Sequence, residues 1–255
     1  MLLVIVVLVV FVGVAFLQLR KSGNRVRILM YHKVDPSRRD MLTVTTEQLG
    51  QQLEHLQKQG YEFISVRNLS DVSLSTGKGV LITFDDAYVN NLEYAYPVLK
   101  EHKAKATLFV PSGYAGQTSQ WDIAAEPLLS PEQLQQLDTD VFELGLHSHT
   151  HRHYGKLSVV EIEEDLRQNI QFFNENNLSF IPAFAYPYGG RPKDKTFKRE
   201  MQQAMAALGI RFAFRIGNRI NRFPLSNPYE IQRIDIRGTD TLEDFARKVK
   251  WGKQF

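Results

Sequence analysis

Four of the chain's seven histidines fall in one eight-residue window, Leu-His-Ser-His-Thr-His-Arg-His at 146–153. Imidazoles crowded in this way repel one another once protonated, so the window calls for something to bind. His147 and His151 are four apart. On a helical turn, or in a folded-back loop, that spacing lets both rings reach one ion, with His149 and His153 alternating to the other side. A solvated polar loop is the alternative, and it leaves the concentration of histidine unexplained. A second cluster is Asp85-Asp86, directly after the apolar run Val80–Phe84. Adjacent carboxylates repel and need a cation or a shared proton, unless they merely cap a turn. The chain has no cysteine, so thiolate and disulfide chemistry are excluded and any metal site must use nitrogen and oxygen donors. One carboxylate with two imidazoles would leave coordination positions open, the mark of a catalytic rather than a structural site.

Two weaker signals stand beside these. Phe-Ala-Tyr-Pro-Tyr-Gly-Gly at 184–190 makes a tight turn, whose backbone N–H groups could face a site. His32 ends the apolar run of Ile-Leu-Met-Tyr-His-Lys-Val. A lone histidine in that position is commonly a packed or surface residue, and only its place at a strand end raises its interest.

The elements that must position these residues are legible as alternating patterns. Strand-length apolar runs lie at 26–31, 62–66, 79–84, 106–110, 141–146, 182–186, 211–216 and 230–236. Between them, Thr45 with Gln48, Ser130 with Gln133, and Ser158 with Glu161 are capping boxes that open helices; Pro131 takes a first helical position and Gly60 ends the first helix. Alternation of this kind predicts an α/β fold with parallel strands and outer helices, and seven or eight strands favour a distorted (β/α)7-8 barrel. In such a barrel the chemistry gathers at the C-terminal ends of the strands. Each cluster above directly follows an apolar run, as that rule requires.

The first nineteen residues stand apart. Residues 1–17 carry no polar side chain, and about 18 helical residues just span a hydrocarbon core of roughly 30 Å. The start is not basic and no small-x-small cleavage site follows, so the segment reads as an uncleaved transmembrane anchor rather than a signal peptide. Residues 20–25 read as a linker, and the chain is expected at a membrane as a single-pass protein. Arg20, Lys21, Arg25 and Arg27 all follow the apolar segment, which by the positive-inside tendency places the domain in the cytoplasm. An enzyme of surface polysaccharide would need the opposite orientation, so the side stays open. A net charge of +3 with no run of Lys and Arg gives no case for a nucleic-acid partner.

Together, "TFDDAYVNNLEYAYPVLKEHKAKATLFV", "ELGLHSHTHRHYGKLS" and "FAYPYGG" resemble the polysaccharide deacetylases, carbohydrate esterase family four, over roughly residues 26–250. The resemblance implies that residues 26–255 form one deacetylase domain, a distorted barrel holding a divalent metal. The metal is zinc by first choice, with cobalt(II) or nickel(II) as alternatives. The implied reaction removes acetyl groups from N-acetylglucosamine units of a polysaccharide or oligosaccharide. Carried over, Asp85 resembles the catalytic base, and Asp86, His147 and His151 resemble the metal ligands. Ser148 fills the Ser/Thr place beside the first histidine, and Tyr188 resembles the residue whose backbone N–H binds the oxyanion. There are departures. Ala87 replaces the usual glycine after the aspartate pair, and Ala185 stands where many members have an arginine that orients the base. The late Leu-x-His motif that supplies the general acid is missing near the C-terminus. The segments around His32 and Tyr188 look more like the branch acting on poly-β-1,6-N-acetylglucosamine, in which an early histidine is the acid. That makes His32 the candidate acid, and Arg233, on the last strand candidate, the candidate to replace the missing arginine. An O-acetyl carbohydrate esterase and an inactive, membrane-tethered glycan-binding module remain as alternatives.

Overall fold

The computed structural model describes residues 24–252. Seven parallel strands close into a barrel: β1 (Arg25–Tyr31), β2 (Lys78–Phe84), β3 (Ala106–Val110), β4 (Phe142–Leu146), β5 (Ala183–Ala185), β6 (Phe212–Ile216) and β7 (Ile231–Asp235). Their order around the barrel is their order in the chain, and β7 and β2 both pair with β1 to close the ring. The longest ladder runs from Arg25↔Lys78 to Tyr31↔Phe84, which sets His32 and Asp85 side by side as the chains leave their strands.

The helices are α1 (Thr46–Lys58), α2 (Tyr96–Glu101), α3 (Pro131–Gln135), α4 (Val159–Glu175), α5 (Lys195–Ala207) and α6 (Leu242–Trp251). The capping boxes at Thr45, Ser130 and Ser158 form with both reciprocal hydrogen bonds, and they open α1, α3 and α4. Outward strand residues such as Leu29, Ile82, Leu108 and Leu144 pack with Leu49, Leu53, Ile162 and Leu166 of the helices in one cluster. Val26, Ile28, Leu81, Phe109 and Phe214 fill a second cluster with their alternate neighbours. The period of two along each strand thus divides the chain's apolar residues between two packing layers.

The barrel is distorted in two places. No α-helix joins β6 to β7; that connection instead carries Asn221–Arg222, a short strand antiparallel to the start of β1. The run at 62–66 pairs only as Glu62–Phe63, wedged against Gly79 and Val80 of β2 before β3 takes over at Ile82. Ser65 then caps a 3-10 turn, Val66–Asp71, which ends the strand. Seven of the eight runs are therefore barrel staves. The expected anchor at 1–19 lies outside the described residues. Among those described, no helix is long and apolar enough to cross a membrane.

Candidate metal centre and active site

At the C-terminal mouth of the barrel, a cavity of about 260 Å³ is lined by His32, Asp85, Asp86, His147, His151, Tyr188 and Arg233 among others. The seven residues given a catalytic or ligand role by the resemblance come together there. They arrive from β1, β2, β4, β5 and β7 or from the first residues after them.

Asp86, His147 and His151 each offer a donor atom, and the three atoms lie within 4.8 Å of one another. All three side chains are buried. His147 Nε2 is 3.3 Å and His151 Nε2 3.1 Å from Asp86 Oδ1. That oxygen is sealed from solvent and receives no directed hydrogen bond. His147 Nδ1 lies 2.8 Å from the Ala185 carbonyl, so it must carry the ring's proton to donate there. A neutral His147 then turns the lone pair of Nε2 toward a carboxylate. Lone pair facing carboxylate is repulsive unless a cation sits between them. A histidine whose second nitrogen donates to a carbonyl is also the usual arrangement of a metal ligand. The donor set of two imidazoles and one carboxylate therefore fits a divalent ion of the zinc, cobalt or nickel type. Burial pushes the Asp86 carboxyl up, but positive charge on the facing His151 and His147 imidazoles, when protonated, more than offsets this and holds it well below the usual carboxylate range; a bound cation would supply that charge with both rings neutral.

Asp85 faces a different partner. Arg233 reaches up inside the barrel and grips it with both arms, Nη1 to Oδ1 at 2.5 Å and Nη2 to Oδ2 at 2.6 Å. Arg233 is fully buried, bonds Thr83 Oγ1 at 3.3 Å, and lies 5.6 Å from the Phe109 ring centre. Burial raises the Asp85 carboxyl, yet the guanidinium wins and holds it below its ordinary value. This fork-to-fork geometry is the strongest form of the pair. Ala185, at the position expected for an orienting arginine, instead offers its carbonyl to His147.

His32 lines the same cavity. Its carbonyl is held by Asn91 Nδ2 at 2.8 Å, and its buried Nδ1 has no hydrogen-bond partner among the described residues. Tyr188 has φ 58°, is half exposed, and sets its ring 4.9 Å from that of His151. His149 and His153 take structural parts. His149 Nδ1 lies 3.0 Å from Ser112 Oγ, and His153 Nδ1 accepts from Gly155 N–H at 3.1 Å.

Sequence reading missed the residues that hold the histidine loop. Asp165, buried on α4, accepts from the N–H groups of His149 (3.0 Å) and Thr150 (2.8 Å), the Thr150 hydroxyl and the Tyr154 hydroxyl (2.7 Å). Ser148 Oγ accepts from His151 N–H at 2.8 Å and folds the loop back on itself. That fold places His151 beside His147 with both in reach of Asp86. A signal for Asp165 did exist: it lies on the stripe Ile162, Asp165, Leu166, Asn169, Phe173 that α4 buries. Trp121, also unremarked in the sequence, packs on His151 with ring centres 3.8 Å apart.

Known proteins are similar to this chain in sequence or in fold. The poly-β-1,6-N-acetyl-D-glucosamine N-deacetylase of Staphylococcus aureus (strain MRSA252) is 24% identical over 218 residues, covering 81% of this chain and 71% of its own length. The YxkH protein of Bacillus subtilis (strain 168) is 26% identical over 175 residues; the match covers 67% of this chain and 59% of that relative. Among solved structures, IcaB from Ammonifex degensii superposes with a TM-score of 0.74 at 23% identity, over 90% of this chain and 97% of that one, which is a likeness of fold. The family model described as polysaccharide deacetylase matches residues 74–213, from just before β2 to the start of β6. That span takes in both aspartates, both candidate histidine ligands and the Tyr188 turn, and with it the chain belongs to the polysaccharide deacetylase family.

Proposed function

We propose that this chain hydrolyses acetamido groups on N-acetylglucosamine-type glycans and releases acetate. The observation that carries the reading is the pairing of two unlike carboxylates at one mouth. Asp86 turns an unsatisfied oxygen to two imidazoles, while the adjacent Asp85 is held ionised by Arg233. One carboxylate is built to ligate and its neighbour to act as a base. The name of the staphylococcal relative supports a poly-β-1,6-N-acetylglucosamine substrate.

Asp86, His147 and His151 would hold the ion. When bound, it supplies Lewis-acid polarisation of the acetyl carbonyl and activation of water at neutral pH. Asp85, kept ionised and fixed in direction by Arg233, accepts the proton of the attacking water. The backbone N–H of Tyr188 donates to the developing oxyanion, an interaction worth about 3–4 kcal/mol per donor in other enzymes. An amine cannot leave as an anion, so a proton must be delivered to it. His32 has a buried ring nitrogen free of protein partners and lines the same cavity, and it is the donor in this scheme.

The test is acetate release by the metal-loaded chain from β-1,6-linked N-acetylglucosamine oligomers, compared with O-acetylated xylan. Release from the amide substrate is expected. Release from the ester alone would make the chain an O-acetyl esterase. Release from neither, with glycan binding retained, would make it a binding module.

A further inference from the structure

The metal reading leaves one neighbour of the site without a role, an indole. Trp121 lies on the loop between β3 and α3, and the residue after it is clamped from three sides. Asp122 Oδ2 accepts from Tyr88 OH at 2.6 Å and Ser119 Oγ at 2.8 Å, and pairs with Lys33 Nζ at 3.0 Å. Lys33 is buried and also reaches Glu126 at 2.9 Å. The loop is thus tied to the residue that follows His32 and to the strand-end segment that carries Asp86. Held in this way, the Trp121 ring packs on His151 at 3.8 Å and is braced edge-on by Tyr114 at 5.1 Å. Its Nε1–H points at Asp86 Oδ2, 3.3 Å away, and at Tyr88 OH, 3.2 Å away.

Trp121 therefore touches two of the three candidate ligands, and it touches Asp86 on one oxygen only. The other oxygen, Oδ1, faces both imidazoles and has no directed donor. A carboxylate can ligate through one oxygen or chelate through both. A hydrogen bond that occupies one oxygen favours the first mode and fixes the rotation of the group. We infer that Trp121 is a positioning residue that reserves Asp86 Oδ2 and makes Asp86 a one-oxygen ligand. The inference rests on the metal reading of the site. Partners of this kind, which bond to a ligand rather than to the metal, typically change metal affinity by about 10–100-fold when lost.

The experiment uses the full chain, stripped with a chelator and titrated with Co²⁺, whose visible absorption weakens as coordination number rises. The wild type should bind one equivalent and His151→Ala none. Trp121→Phe keeps a ring on His151 and removes the N–H. It should bind Co²⁺ about 10-fold more weakly, with a weaker visible band as Asp86 gains a second contact. A crystal structure of the Co²⁺-loaded wild type decides the matter even if Trp121→Phe does not fold: Asp86 bound through Oδ1 alone, with Oδ2 kept on the indole N–H, is expected, and chelation through both oxygens overturns the inference. So does wild-type affinity in Trp121→Phe, or a weaker affinity with an unaltered band. Absence of binding by the wild type would instead defeat the metal reading itself.

Discussion

Replacing Arg233 with methionine separates the electrostatic part of the site from its shape. Methionine fills much of the volume at a position with no exposure, so the main loss is the charge that faces Asp85. Asp85 is 4% exposed, and a buried carboxylate stripped of its counter-ion costs about 3–5 kcal/mol. At about 2–4 °C per kcal/mol for a domain of this size, the melting temperature should fall by roughly 6–20 °C at neutral pH. The pH dependence gives the sharper test. In the wild type the folded pKa of Asp85 is lowered, so its contribution is present above the unfolded value near 3.8 and is lost as pH falls through the lower folded value. In the variant burial outweighs the remaining pull of the His147 and His32 imidazoles, and the folded pKa rises above the unfolded one. Stability is then lost as pH climbs from about 4 to that raised value. The gap between the two proteins should narrow as pH falls below about 4 and widen toward neutrality. Urea unfolding of the metal-free chains at a series of pH values measures it. A gap that stays constant from pH 4 to 8 would refute an electrostatic role and leave only packing. Arg233→Lys should recover part of the loss, because it restores the charge and not the two-armed grip.

Three further outcomes are expected. His151→Ala should lose bound metal and activity together, whereas Asp85→Asn should keep the metal and lose at least about 100-fold in rate; metal loss in Asp85→Asn would make Asp85 a ligand instead. His32→Ala should keep metal and fail on the amide, yet cleave an activated aryl ester, whose leaving group needs no proton, at a rate much nearer wild type. Near-normal amide cleavage in that variant would move the acid role elsewhere. Residues 1–19, read as an anchor, predict that the full chain sediments with membranes and is released only by detergent, and recovery in the soluble fraction would contradict the anchor.

The barrel was legible because a buried parallel strand is a short apolar run, and Ala106–Val110 forms over the very residues that the run suggests. The run at 62–66 misled for a local reason. Its alternation fits a strand, but Ser65 donates its N–H and hydroxyl to Asn68 Oδ1 while Asn68 N–H donates back to the Ser65 carbonyl, and this turns the chain after Phe63. His32 was readable only through its strand-end placement and Arg233 only through its place on the last strand, each combined with family resemblance. Nothing in the local sequence of Trp121, between Gln120 and Asp122, separates it from an ordinary loop tryptophan. Its meaning depends on Lys33 and Tyr88, which lie just beyond the ends of two different barrel strands. Asn91 is similar: its grip on the His32 carbonyl joins residues 59 positions apart, and no periodicity announces it.

The backbone shows what holding these groups costs. Among the described residues, eight that are not glycine have positive φ, and five of them are Asp86, Ala87, Ser148, His151 and Tyr188. Such conformations cost of order 1–3 kcal/mol each and persist only where the surroundings over-determine them. Glycine would relieve the strain at each position, but it cannot supply a carboxylate, a hydroxyl or an imidazole. Asp86 ligates in this reading, Ser148 folds the loop, and His151 must return to meet His147. The strain is therefore placed where a side chain is needed at a sharp turn just beyond a strand end. The closed barrel can bear it: its ladders hold the strand ends at fixed separations, and Asp165 and the Lys33 network fix the loops from outside. Ala87 fits the same logic in a different way. Its side chain is buried in the core cluster beside Asp86, so the chain keeps packing there at the expense of a strained backbone. The geometry at the mouth is thus imposed by the rigid frame beneath it, which is the condition for holding the three candidate ligands and the proposed base in place before any substrate arrives.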